Sequence, residues 1–298
     1  MKVSIYEVGP RDGLQALKEI VPTATKKQLI ASLYDAGLHS IEEVSFANPR
    51  LLPQMADAED VFNRGSALVM NKRGFDRAVS AGVKKFNIVF SPCETFNMQN
   101  MGKTRSEIVL MYKTFMDKVP KKNVRVYISM AFGSPYSGVP LFSTLLSCIR
   151  DAKMFGNTVV FADTVGAGTS KEVAELAEMA KNEGMRAALH LHHNGNESSA
   201  LELVRAALLN GIYEIDSSIG GLGGCPFAEN SGANLSTETL VTHLHAWGFT
   251  TGVDEEALKA ASLIAEQIKL KEIGHGKEAW AGETWLDSCL PSASRPAV

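Results

Sequence analysis

The stretch that decides the fold runs TVVFADTVGAGTSKEVAELAEMAKNEG, residues 158–184. It opens on the β-branched apolar run TVVFADT, short and closed by a glycine-bearing turn, as a buried strand is. It continues as SKEVAELAEMAKNEG, where apolar residues recur every three or four positions, the spacing of one helix face. Ser170 is the expected N-cap, acidic residues fill the next turn, and Gly184 suits the helix C-terminus. The stretch is therefore one β-then-α unit.

The same unit recurs on both sides. Further apolar runs read VSIYEV, HSIEEVSF, SALVMN, KFNIVFS, VRVYISM, RAALHLH and YEIDSSI, which makes eight in all. Helix-spaced segments separate them, among them TKKQLIASLYDAG, SEIVLMYKTFMDKV and SALELVRAALLNG. Eight units over roughly 250 residues predict an α/β protein of the (β/α)8 TIM-barrel type. A doubly wound sheet would carry a glycine fingerprint after its first strand, and the charges and proline of EVGPRDGLQ do not fit one. One further helix is expected in DEEALKAASLIAEQIKL. The expected division is a catalytic barrel over residues 1–250 and a C-terminal helix and loosely structured tail over 251–298, packed on the barrel.

Composition narrows the function classes. The 298 residues are 45% hydrophobic with a net charge of −3 and no basic run, which argues against nucleic acid as a partner. No apolar window reaches transmembrane length and the N-terminus lacks a signal-peptide pattern, so no membrane partner is expected. Cys93, Cys148, Cys225 and Cys289 are scattered without a CxxC pair, which suits reduced thiols and a cytoplasmic location.

In a TIM barrel the chemistry sits at the C-terminal ends of the strands. There the sequence places Arg11 and Asp12 after strand one, Glu42 on strand two, Asp163 closing strand six, and His190 and His192 on strand seven. Apolar residues are expected to fill the strand bodies, with the ionisable ones gathered at this one end. Residues two apart on a strand face the same side, so His190 and His192 can share one cation, while His193 points away. Asp12 would add a carboxylate oxygen and Asn234 an amide oxygen. That donor set favours Mg²⁺ or Mn²⁺, with Zn²⁺ or Co²⁺ as alternatives. The glycine-dense stretch SSIGGLGGCPFAENSGAN carries Cys225, a thiol that a mobile loop could bring to the site as a proton donor. Glu7, Glu42 and Asp163 are expected either to orient ligands and relay protons or to pair with Arg11 and cap loops. Gln15 and Lys18, just past the first strand, are candidate substrate contacts.

The stretches EVGPRDGLQ, IEEVSFANPRLLPQMAD, GSPYSG, ADTVGAGT, LHLHH and SSIGGLGGCPFAENSGAN resemble 3-hydroxy-3-methylglutaryl-CoA lyase, in order over about residues 3–270. The resemblance implies metal ligands at Asp12, His190, His192 and Asn234 and a catalytic arginine at Arg11. It also implies a loop cysteine at Cys225 and family carboxylates at Glu42, Asp163 and Glu238. It further implies an acyl-CoA substrate cleaved to acetyl-CoA and acetoacetate, with CoA entering as part of that substrate, and a homodimer. Here His193-Asn194 stands where the family has Asp-Thr, and GSPYSG stands where it has Gly-Cys-Pro-Tyr. The competing expectations are a Claisen-type synthase of the citramalate or isopropylmalate kind, a 4-hydroxy-2-oxo acid aldolase, and a non-catalytic acyl-CoA-binding protein.

Overall fold

The computed structural model describes residues 1–223 and 232–273. Eight strands run parallel: β1 (Ser4–Glu7), β2 (Glu42–Ser45), β3 (Ser66–Leu68), β4 (Lys85–Phe90), β5 (Val124–Ile128), β6 (Thr158–Asp163), β7 (Arg186–His193) and β8 (Glu214–Ser217). Their hydrogen-bonded order is β1-β8-β7-β6-β5-β4-β3-β2. A parallel bridge between Glu7 and Ile41 brings the two ends of this order together, and the Glu7 amide donates to the Ser40 carbonyl at 2.9 Å. The result is a nearly closed TIM barrel, as the eight apolar runs predict. A two-residue strand, β9 (Ala233–Asn234), pairs antiparallel with the end of β7 and sets Asn234 opposite His192.

The helices are α1 (Thr23–Asp35), α2 (Ala58–Val61), α3 (Lys72–Ser80), α4 (Glu94–Met101), α5 (Arg105–Met116), α6 (Phe142–Phe155), α7 (Ser170–Asn182), α8 (Glu197–Leu209), α9 (Thr237–Ala246) and α10 (Glu255–Ile273). The further helix expected after the eighth unit is α10, which packs against α1 and buries Leu258, Ala261 and Ile264 in the main apolar cluster. Cys289 and the tail expected to be loose lie outside the described residues. The N-cap of α7 is Thr169 rather than Ser170. Thr169 Oγ1 accepts from the Glu172 amide, and the Glu172 carboxylate accepts from the Thr169 amide at 2.9 Å. This reciprocal pair needs the acid three positions after the cap, which only Thr169 provides.

The strands alternate as a barrel wall must. Val124, Val126 and Ile128 of β5 and Val159 and Phe161 of β6 face the helices in the main cluster. Leu68, Val89, Tyr127, Val160 and Ala188 meet inside the barrel in a small cluster of their own. On β2 the register shifts between Glu42 and Val44. This bulge lets Glu42 point inward while Glu43 turns outward, where it accepts from the Tyr34 hydroxyl at 2.6 Å and the Gly65 amide at 2.9 Å.

The expectation of apolar strand bodies is corrected inside the barrel. Tyr6, Asn87, Arg125, Tyr127 and Asp216 are buried there in the strands themselves. Arg125 Nη2 donates to Asp216 Oδ1 at 2.8 Å, and its guanidinium lies 3.4 Å from the centre of the Tyr6 ring. Asn87 Nδ2 donates to Glu42 Oε1 at 2.7 Å. A buried polar layer is tolerated because its members satisfy one another's hydrogen bonds and charges. A period-two reading finds the inward positions but does not show that polar groups will meet across the barrel.

Glu7 secures the base of the site. Its Oε1 accepts from the amides of Gly9 at 2.7 Å and Ile219 at 2.9 Å, and its Oε2 accepts from the Thr237 hydroxyl at 2.5 Å, joining β1, the turn after β8 and α9. Burial pushes its carboxyl up from the ordinary 4.5 to about 7, against the pull of these donors. An acid that holds its proton more tightly when folded contributes stability that is complete below its unfolded value. That contribution fades as the pH rises through the folded value. The shift corresponds to about 3 kcal/mol at most. Glu7→Gln mimics the neutral acid, so between about pH 5 and pH 8 wild-type stability should fall relative to the variant in urea unfolding. Equal pH slopes would show that Glu7 is ionised throughout.

Candidate metal centre

The chain leaves β1 through a single π-helical turn, Gly9–Gly13, in which the Val8 carbonyl accepts from the amides of Arg11, Asp12 and Gly13. Such turns mark functional sites more often than ordinary helix does. This one sets Arg11 and Asp12 beside the inward face of β7. His190 and His192 both point into the barrel, with their Nε2 atoms 3.0 Å apart, and His190 Nε2 lies 3.9 Å from Asp12 Oδ2. One ligand atom from each of Asp12, His190 and His192 falls within 4.8 Å of the others. His193 turns away toward Glu197 at 3.9 Å.

The charge states suit a cation. Burial raises the Asp12 carboxyl, but Arg11, His190 and His192 outweigh it and hold the group at about 2. Burial and the neighbouring His190 bring His192 down to about 4, so it is a neutral imidazole at pH 7. Burial pulls His190 down as well, yet Asp216 and Asp12 outweigh it and leave the group above its ordinary value. The triad therefore presents an ionised carboxylate and two converging buried nitrogens, a donor set that fits a divalent ion.

Asn234 joins the group through its amide NH₂, which donates to Asp12 Oδ2 and to the Leu222 carbonyl, each at 2.9 Å. Its oxygen, expected to face the ion, would do so after a half-turn of the amide. Gly223 explains why glycine is needed here: its φ is +105°, and an added Cβ would sit 2.6 Å from Asn234 Nδ2.

Arg11 is buried between two carboxylates. Its Nη1 donates to Asp12 Oδ1 and its Nε to Glu42 Oε2, each at 2.6 Å, and Nη2 pairs with Glu42 as well. Gln15 Nε2 donates to Asp12 Oδ1 at 3.0 Å. Arg11, Asp12, Glu42, Gln15, His190, His192 and Asn234 thus form one constellation.

Other expected residues lie apart from it. Asp163 accepts from the amides of Ala167 at 2.9 Å and Gly168 at 2.8 Å, holding the loop after β6. Glu238 accepts from the Gly220 amide at 2.9 Å and the Ser262 hydroxyl at 2.6 Å, at the root of the glycine-dense loop. For Glu7, Asp163 and Glu238 the loop-capping role is the one the contacts display. Lys18 is exposed. Cys225 lies outside the described residues. Sequence reading missed Asp216, whose Oδ2 lies 3.3 Å from His190 Nδ1. The available signal was an aspartate inside the eighth strand run YEIDSSI, next to the apolar Ile215.

The HMGL-like family model matches residues 2–264. The chain belongs to this family. Hydroxymethylglutaryl-CoA lyase of Pseudomonas mevalonii is 34% identical over 267 residues, covering 86% of this chain and 89% of that protein. The mitochondrial hydroxymethylglutaryl-CoA lyase of Arabidopsis thaliana is 38% identical over 272 residues, which are 87% of this chain but only 58% of that protein. Among solved structures, an HMG-CoA lyase from Acinetobacter baumannii in complex with coenzyme A and 3-methylmalate superposes with a TM-score of 0.83 at 27% identity, covering 100% of this chain and 98% of that one. Against this HMGL-like background, no helix among the described residues is long and apolar enough to cross a membrane.

Proposed function

We propose that this HMGL-like chain is a divalent-metal-dependent carbon–carbon lyase that splits 3-hydroxy-3-methylglutaryl-CoA into acetyl-CoA and acetoacetate. The observation that carries the reading is the Asp12–His190–His192 triad beside the buried Arg11 guanidinium. The names of the relatives point the same way, and the coenzyme A bound to the A. baumannii lyase supports an acyl-CoA substrate. Asp12, His190, His192 and, after its amide turns, Asn234 would hold the ion, with Mg²⁺ or Mn²⁺ suited to the mixed nitrogen and oxygen donors. When bound, the ion acidifies the tertiary hydroxyl of the substrate.

The hydroxyl proton leaves to solvent water, because the Nε2 lone pair of His190 is committed to the ion and Asp12, held at about 2, is too weak a base. The C–O bond becomes a carbonyl, the neighbouring C–C bond breaks, and its electron pair becomes a thioester enolate. Arg11 stabilises the enolate oxygen. Asp12 and Glu42 fix its fork from one side, and N–H groups remain on Nη1 and Nη2 for the oxyanion. Cys225 gives its thiol proton to the enolate carbon. Gly223, two positions before it, would bring an added Cβ within 3.1 Å of the Asp12 carbonyl, which supports a loop rooted at the site. A cytoplasmic homodimer completes the proposal. The free thiols of Cys93 and Cys148 support a reducing compartment, and the resemblance supports the dimer.

The test is product identification from 3-hydroxy-3-methylglutaryl-CoA, where acetyl-CoA and acetoacetate should form in equal amounts. Release of free CoA from acetyl-CoA and a 2-oxo acid, with no cleavage of the thioester, would assign the chain to the Claisen-type synthases instead.

A further inference from the structure

We propose that Asp216 is a positioning residue that fixes the tautomer and ring orientation of His190, so that Nε2 presents its lone pair to the cation. The inference rests on the metal-dependent reading above. His190 and Asp216 are register partners on the adjacent strands β7 and β8, and both side chains are buried inside the barrel. His190 Nδ1 lies 3.3 Å from Asp216 Oδ2 and has no other hydrogen-bond partner among the described residues.

The carboxylate cannot swing away. Tyr127 donates its hydroxyl to Oδ2 at 2.7 Å, and Arg125 Nη2 donates to Oδ1 at 2.8 Å. Arg125 is itself held by Glu214 at 2.9 Å and by the Tyr6 ring. A neutral imidazole carries one N–H. Placed on Nδ1, it meets the Asp216 carboxylate and leaves the Nε2 lone pair facing Asp12 and His192. Placed on Nε2, it would set two lone pairs against each other at Nδ1 and Oδ2. The rigid carboxylate selects the first arrangement, as outer carboxylates do for metal-bound histidines.

The test is Mn²⁺ affinity by EPR titration, with kcat and KM measured alongside, for wild type, Asp216→Asn, Tyr127→Phe and His192→Ala. Asp216→Asn should weaken Mn²⁺ binding and lower kcat about 10- to 100-fold, with little change in KM. Tyr127→Phe removes one of the two clamps on that carboxylate and should weaken Mn²⁺ binding in the same direction, but less than Asp216→Asn does. Unchanged Mn²⁺ affinity in a folded Asp216→Asn protein would overturn the positioning role while leaving the metal reading intact. Failure of wild type to bind Mn²⁺, or undiminished binding by His192→Ala, would instead sink the metal reading. Should Asp216→Asn not fold, side-chain ¹⁵N NMR of Mg²⁺-loaded wild type decides the matter. A proton on His190 Nδ1 supports the proposal, and a proton on Nε2 overturns it.

Discussion

Arg11→Lys is expected to fold and to lose about 10²- to 10³-fold in kcat, with a much smaller change in KM, in a steady-state assay of thioester cleavage. The fold-change follows from geometry. The Arg11 side chain meets Asp12 through Nη1 and Glu42 through Nε while keeping N–H groups for an oxyanion. Lysine keeps the charge, but its single ammonium on a flexible stem cannot serve two fixed carboxylates and an oxyanion at once. The charge Arg11 meets grows only as the C–C bond breaks, so its loss falls on kcat. Arg11→Met should cost stability in addition, on the order of 3–5 kcal/mol, because it strands two buried carboxylates. Burial already holds the Glu42 carboxyl above its ordinary value, so part of that cost will be met by Glu42 taking up a proton. A kcat within threefold of wild type for Arg11→Lys would remove Arg11 from the chemistry and leave it as a structural ion pair.

The second large effect is expected at His192. His192→Ala removes one of two nitrogens that lie 3.0 Å apart and face the Asp12 carboxylate. Losing an outer partner of a metal ligand typically costs 10- to 100-fold, so losing a direct donor should reach about 100-fold or more in kcat/KM. The Mn²⁺ or Mg²⁺ concentration for half-maximal rate should rise with it. His193→Ala is the internal control. It sits one position further on the same strand but turns toward Glu197. It should stay within about twofold in activity, as expected for a substitution outside the site. A large loss in His193→Ala together with a small one in His192→Ala would reverse the facing of β7.

The barrel and the triad were legible in the sequence for the same reason. Strand alternation and βα repetition are local patterns, and His190 and His192 form a pair two residues apart on one strand, which needs no tertiary knowledge. The sequence separations that matter for the rest are long. Asp216 meets Arg125 across 91 positions and Glu7 meets Thr237 across 230. No window of sequence reveals such meetings, so Asp216, Asn87 and Arg125 read as strand residues with no evident task. The same limit explains Asp163 and Glu238. Asp163 stood out by its place at a strand end and Glu238 by the resemblance, whereas their oxygens are taken by the backbone amides of the loops they anchor. Sequence position shows that a carboxylate lies near the mouth of a barrel. It does not show whether that carboxylate faces the ion or the loop.

On this reading one divalent ion sits between two imidazoles and Asp12 at the mouth of this barrel. Pulsed EPR of the Mn²⁺-loaded protein decides this by counting the bound ¹⁴N nuclei. Couplings from two histidine nitrogens are expected in wild type and from one in His192→Ala. A spectrum without ¹⁴N coupling in wild type, or one left unchanged by His192→Ala, would contradict it.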